Sequence, residues 1–304
     1  MKRKQKKFTA WCPTHIYQKG YQGRVLFYCL RDRLVYLSIF FDEAWKRGVV
    51  VLAIAFMFNH VHSNIKCKRK SVMAGFNQAV QHRYAAAFNR ESGRLGSVFM
   101  RTYGWAQKRS DRDVTENLCY LANNSPKKKL FKRGVDDQWT LLAYGRKKYP
   151  FSEPIVWDKA RRQMRRSIAM VRACRKRGDV LTYPFLDKVF KGLTKSEVKQ
   201  LVDYIIQEFS SVNYKLAASY FGGFDKMLAA FDVTSGSEHE ISEEFTTEPD
   251  IPYREMVRVL KEEGYDLVKK QFLAPEKKDL EKLVKLCKER TSASERQIRR
   301  FLHL

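Results

Sequence analysis

His60 and His62 stand one residue apart in the stretch 58–66, FNHVHSNIK. In a strand, residues two apart project from the same face, so both imidazoles would stand together while Val61 turns to the core. Such a pair can share one divalent ion. The alternative is one half-buried histidine with a hydrogen bond and one exposed histidine. Two ligands do not hold a metal, so a third must come from elsewhere. The stretch 115–124, TENLCYLANN, reads as a helix in which Tyr120 and Asn124 are neighbours on one face. An amide oxygen is a hard ligand suited to Mg²⁺ or Mn²⁺. A tyrosine beside it can act as a nucleophile. Asn123 is the other amide within reach, but it is turned by about 100° from the face of Asn124. Taken alone, Tyr120 is one of 15 tyrosines, and a core or surface role is the ordinary one.

These residues need elements to position them. The spacing predicts strands over 25–30 and 35–40 with a turn at 31–33, and the end of a short helix at 43–47. A buried strand follows over 49–58, where VVVLAIAFMF is the longest apolar run. A tight turn at Phe58 and Asn59 leads to a strand over 60–67. Ser71 can cap a helix to about residue 90, with Val72, Phe76, Val80, Tyr84 and Phe88 as its apolar stripe. The helix over 115–124 is expected to end at Ser125 and Pro126. Residues 1–150 thus mix strands and helices.

Residues 151–234 read as an all-helical region. Its first helix, over 159–177, carries nine Lys or Arg in nineteen residues and no acid. Thr194 and Glu197 form a capping box, and Ser211 can cap a helix that stops at Gly222 and Gly223. Residues 235–252 read as an acidic linker whose composition predicts mobility. In 253–304, Pro275 opens a helix with Leu280, Leu283, Val284 and Cys287 on one face. Ser294 and Gln297 cap a last helix with Ile298, Phe301 and Leu302 inward and Arg296, Arg299 and Arg300 outward. A helix, a short turn and a basic helix make a helix-turn-helix pattern.

The chain has 304 residues and a formal net charge of +26. That much like charge calls for a polyanionic partner, with nucleic acid first. The longest apolar run is too short to span a bilayer, so no membrane partner is expected. The six cysteines are scattered without a CxxC, which fits a reducing cytoplasm and gives no zinc knuckle. The basic start MKRKQKK lacks an apolar segment behind it and reads as an arm. With Lys127, Lys128 and Lys129 and with Arg161, Arg162, Arg165 and Arg166, it supplies charge for tracking phosphates. Trp11, Tyr17, Phe99, Tyr103 and Trp105 could stack bases or pack in the core.

Together, three blocks resemble the single-tyrosine transposase branch of the HUH endonuclease superfamily. Its REP-associated tyrosine transposases and related insertion-sequence enzymes are the nearest in pattern. LAIAFMFNHVHSNIK resembles the family's strand–turn–strand block, YAAAFNRESGRLGSVFMR its stretch after the first long helix, and CYLANNSPKKKL its nucleophile block. The blocks occur in the family's order across roughly residues 10–145. Phe58 replaces the proline usual before the histidines, and Pro126 comes one place late, with Ser125 between.

The resemblance implies an α+β fold: a ferredoxin-like, RNA-recognition-like central antiparallel sheet with helices. It implies His60, His62 and Asn124 as ligands of Mg²⁺ or Mn²⁺ and Tyr120 as the nucleophile. The expected reaction nicks and rejoins single-stranded DNA beside hairpins through a 5′-phosphotyrosine bond. Duplex DNA would be a second partner through the C-terminal helices. A homodimer and a cytoplasmic, nucleoid-associated location are compatible with this. A domesticated, non-catalytic DNA-binding regulator is the main rival. A metal-dependent hydrolase would need carboxylates near the histidines, and none lies in their block. An RNA-binding module would be indifferent to Tyr120→Phe.

Overall fold

The computed structural model describes residues 7–238, 241, 249–273 and 277–304, with the side chains of 277–279 left aside. Most of the basic arm, half of the acidic linker and Pro275 lie outside the described residues. Four strands, β1 (Thr14–Lys19), β2 (Val50–Phe56), β3 (His60–Lys66) and β4 (Gly104–Gln107), form one sheet in the order β2-β3-β1-β4. Every neighbouring pair is antiparallel. The fold is α+β, with a four-stranded antiparallel sheet and many helices.

Helices cover both faces of the sheet. In chain order they are α1 (Leu30–Lys46), α2 (Lys70–Ser92), α3 (Asp111–Ala122) and α4 (Asn124–Lys127). Then come α5 (Arg162–Lys176), α6 (Tyr183–Phe190), α7 (Lys195–Phe209), α8 (Tyr214–Ser219) and α9 (Phe224–Val233). The last are α10 (Ile251–Glu262), α11 (Lys277–Arg290) and α12 (Glu295–Leu302). None of the helices among the described residues is long and apolar enough to cross a membrane.

Alternation along the strands divides the sheet. Ile16, Ile54, Phe56, Val61 and Ile65 are buried in one large core with α1 and α2. On α2 the stripe Phe76, Val80, Tyr84 and Phe88 is buried as its spacing predicts. Behind α1 lie α6 and α7, and α5 packs on those two. Across the sheet, α3, α8 and α9 share a smaller core with Leu52 of β2.

The two strands predicted over 25–30 and 35–40 are not there; α1 replaces the second and a loop the first. Leu34, Val35, Leu37, Ile39, Phe40 and Phe41 are buried nearly all round the helix. A helix apolar on all sides has no visible period, and its β-branched and aromatic content mimics a strand. The helix signal is Asp32, whose carboxylate accepts from the backbone N–H of Tyr28 at 2.7 Å and of Cys29 at 3.0 Å. α3 begins earlier than predicted, because Ser110 and Asp113 form a capping box. It also breaks sooner: Asn123 leaves helical geometry and Asn124 opens α4. Asn213, not Ser211, caps α8, with its side chain accepting from Leu216 N–H at 2.9 Å.

The chain beyond 234 does not run free where it is described. Ile241 is buried and Glu238 has a fully buried side chain. Phe301 and Ile298 of α12 are fully buried in the large core, beside Tyr28, whose ring lies 5.0 Å from that of Phe301. Arg300 also faces inward, only 9% exposed, rather than outward with Arg296 and Arg299.

Candidate active site

The site is built on β3 and its neighbours. In the β1–β3 ladder, His62 faces Tyr17, His60 faces Lys19 and Asn64 faces His15. Directly opposed residues share a face, so all six project together. On the other side of β3, Ala55 faces His62 and Ala53 faces Asn64. Those small side chains leave room for α3 to cross this face, and Val114, Leu118 and Cys119 hold it there.

The crossing sets Tyr120 against the histidines. Its ring stands edge-on to His62 with centroids 5.6 Å apart, and 5.9 Å from His15. The His60 and His62 rings are 4.8 Å apart and nearly perpendicular. Tyr17 stacks on His62 at 5.0 Å, so among the aromatics weighed for base stacking this one belongs to the site. The Lys127 ammonium sits 4.6 Å above the Tyr120 ring. Asn124 is buried beside Tyr120, and its amide nitrogen donates to the Tyr120 carbonyl at 3.0 Å. Asn123 ties α3 to the end of α9, donating to the carbonyls of Phe231 at 2.9 Å and Thr234 at 3.0 Å.

Five residues that the sequence reading did not single out complete the site. His62 Nδ1 is 3.0 Å from His15 Nε2, and His15 Nδ1 is 2.5 Å from Glu238 Oε2. Glu238 also accepts from Lys108 Nζ at 2.9 Å and from Asn117 Nδ2 at 3.0 Å. Asn117 in turn accepts from Asn64 at 2.8 Å. A carboxylate, a histidine and a second histidine thus form a chain ending on a candidate ligand. With both imidazoles neutral, Glu238 holds the His15 proton on Nδ1, His15 Nε2 accepts from His62 Nδ1, and the His62 lone pair is on Nε2. Burial raises the Glu238 carboxyl, but the hydrogen bonds from His15 and Lys108, with the Lys108 charge, outweigh it and hold the group at about 2.

Both candidate ligands favour the neutral form. Burial first, then the positive charges of Lys128, Lys19 and Arg300, lowers His60 to about 3. Burial and the neighbouring His60 and His15 push His62 well down. Neutral imidazole is the metal-binding form. His60 Nδ1 lies 2.7 Å from Asn59 Oδ1, so a metal would use Nε2 on both histidines, each with its Nδ1 held by a neighbour. Among the described residues no three His, Cys, Asp or Glu side chains are grouped to hold an ion. Asn124, the third ligand expected from the sequence, has its amide nitrogen committed to the Tyr120 carbonyl, so its oxygen is the atom that would serve as a ligand. The donor set of two imidazoles and one amide suits a divalent ion that keeps water or substrate oxygens.

The predicted DNA contacts divide. Lys127, Lys128 and Lys129 follow Tyr120 directly, and Lys128 is close enough to act on His60. Arg161, Arg162, Arg165 and Arg166 lie at the start of α5, which packs behind α1 on the other side of the sheet. Arg161 there pairs with Glu197. The structure does not bring these four to the site.

The site is covered. Tyr120 is 1% exposed and His62 is fully buried. Gly236 lies so close to α3 that a Cβ would collide with the Glu116 carbonyl and the Tyr120 amide. Glu238 follows it onto His15. No sequence signal marked Glu238; its run reads only as acidic. Nothing in the sequence around His15 marked it either.

No family model and no curated protein sequence matches the chain. A solved structure similar to it is that of a REP-associated tyrosine transposase bound to a REP hairpin. The two are 11% identical with a TM-score of 0.39, over 46% of this chain and 81% of that one. A likeness this weak carries no conclusion about the activity of this chain.

Proposed function

We propose that the protein nicks and rejoins single-stranded DNA, with Tyr120 as the nucleophile and a 5′-phosphotyrosine bond as the intermediate. The observation that supports this reading most is the meeting of Tyr120 with His60 and His62 on one polar sheet face. His60, His62 and Asn124 would hold Mg²⁺ or Mn²⁺. When bound, the ion supplies Lewis-acid stabilisation of charge on a phosphodiester oxygen.

The chain's own residues account for the other requirements. Asn59 and, through His15, Glu238 fix the ring orientation and tautomer of the two histidines. Asn124 ties its amide to the Tyr120 carbonyl, keeping the amide beside the nucleophile's helix. Lys127 places a positive charge against the Tyr120 ring, where negative charge appears as the phenol loses its proton. The tyrosine oxygen then bonds phosphorus and the 3′ oxygen leaves as a hydroxyl. The reverse attack by a 3′-hydroxyl forms the P–O3′ bond, releases the tyrosine hydroxyl and reseals a strand, because the phosphotyrosine ester conserves the bond energy of the phosphodiester. Segment 234–238 packs on α3 at Glu116 and Tyr120 and brings Glu238 to His15.

The test is a denaturing gel of the full chain with labelled single-stranded oligonucleotides from DNA flanking its gene, with Mn²⁺. A protein–DNA adduct that disappears with EDTA and with Tyr120→Phe supports the reading. An adduct that survives Tyr120→Phe removes Tyr120 as nucleophile. Tight binding with no adduct favours the non-catalytic regulator.

A further inference from the structure

α12 is fixed against the loop that joins β1 to α1. The Val25 N–H donates to the Arg300 carbonyl at 3.0 Å, and His303 Nε2 donates to the Val25 carbonyl at 2.8 Å. Between α12 and the end of β1 lies an open groove of about 520 Å³. Lys19, Arg296, Arg299 and Arg300 line it, with Glu295 as the acidic residue among the lining side chains. Gly23 makes the close approach workable: its φ is +76°, and a Cβ there would lie 2.8 Å from Arg300 Nε. The groove opens beside the site, because Lys19 is the residue directly opposite His60 in the β1–β3 ladder.

We propose that this groove holds the phosphate backbone of single-stranded DNA next to the phosphodiester bound at His60 and His62. The proposal rests on the function given above. Guanidinium groups match phosphate oxygens in a fixed, two-pronged geometry. In α12, Ile298, Phe301 and Leu302 are buried in the core and Arg300 is turned in with them, so Arg296 and Arg299 are the exposed arginines that line the groove. α12 offers one wall of a cationic channel that leads to the site.

The experiment measures metal-free binding of the full chain to a 20-nucleotide oligothymidylate and to a duplex of similar length, across salt concentrations. The comparison is the parent, Arg296→Ala/Arg299→Ala, and Arg162→Ala/Arg165→Ala as a control on α5. All four side chains are exposed, so folding should persist, and a thermal melt checks it. Loss of two phosphate contacts lowers the single-strand salt slope by about 1.4, at ~0.7 per contact. Affinity at low salt falls roughly tenfold, with the α5 control near the parent. Unchanged slope and affinity for the α12 variant overturn the proposal. So does a loss confined to the duplex, which would make α12 a duplex reader. Adduct formation by the parent is read in parallel with Mn²⁺. Groove-dependent binding without any adduct leaves the groove standing and removes the tyrosine reading; an adduct with groove-independent binding does the reverse.

Discussion

The two faces of the four-stranded sheet come from the same strands, yet they are built to different ends. Ile16, Ile54, Phe56, Val61 and Ile65 point one way, into the core with α1 and α2. His15, Tyr17, His60, His62 and Asn64 alternate with them and point the other way, under α3. The first face carries apolar area and needs only volume and shape. The second carries buried polar groups, and each of these needs a partner to be tolerated. The chain Glu238, His15, His62 is such a set of partners, and so is Asn64 with Asn117. Stability is concentrated on one side of β3, and the candidate chemistry is on the other.

The largest test of this contrast is on the chemical side. Tyr120→Phe keeps the ring in its pocket and removes only the hydroxyl. It should abolish the DNA adduct while leaving single-strand affinity within about twofold, a difference of only ~0.4 kcal/mol. A paired test on positions from the two faces of β3 comes next. His62→Ala should end metal-dependent cleavage and leave a folded protein, read by thermal melting and gel assay. Ile65→Ala should do the opposite, costing about 2–5 kcal/mol of stability while the folded fraction still cleaves. If both variants lose stability alike, the division between the faces is wrong.

A third test concerns the C-terminal helix. Phe301 is fully buried against Tyr28 and Phe272, so Phe301→Ala should cost about 3–5 kcal/mol. Denaturant titration checks it. Removal of 253–304 should therefore compromise the fold around the sheet itself, since the loop before α1 would lose its cover.

Acid should act at the same place with a smaller effect. His303 is held neutral, lowered to about 3 by burial first and then by Arg94. The unfolded chain takes up that proton below about 6.5, so the folded state loses stability as pH falls from there toward 3. Melting temperature should be level above pH ~6.5 and decline below it, and His303→Gln should flatten part of the decline. The smallest effect is expected far from the site. Arg162→Ala/Arg165→Ala on α5 should change cleavage rate less than about twofold, because exposed charges beyond a Debye length of ~8 Å are screened. A large loss there would mean that DNA wraps the far side of the sheet.

Much of the second and third strands and of the long helix was legible. The run VVVLAIAF and the alternation after His60 state their periods plainly, and Phe76, Val80, Tyr84 and Phe88 make a stripe that only a helix explains. α1 was not legible, because burial on every side erases the pattern that would reveal it. The end of α3 was misplaced, because Asn123 leaves helical geometry while tied to α9, more than a hundred residues away.

The sequence by itself determined which residue types face one another across β3, because a period of two is a local property of the chain. It determined the net charge of +26, from which a polyanionic partner is expected. Only the tertiary structure decided which of those charges stand near the histidines. Lys19, Lys127, Lys128 and Arg300 do; the α5 arginines, equally basic in sequence, are separated from them by the sheet and α1. It also decided that Glu238, from an acidic stretch with no motif, lies on His15. Contacts between residues 223 positions apart depend on how helices close over a sheet, and nothing in local spacing encodes that.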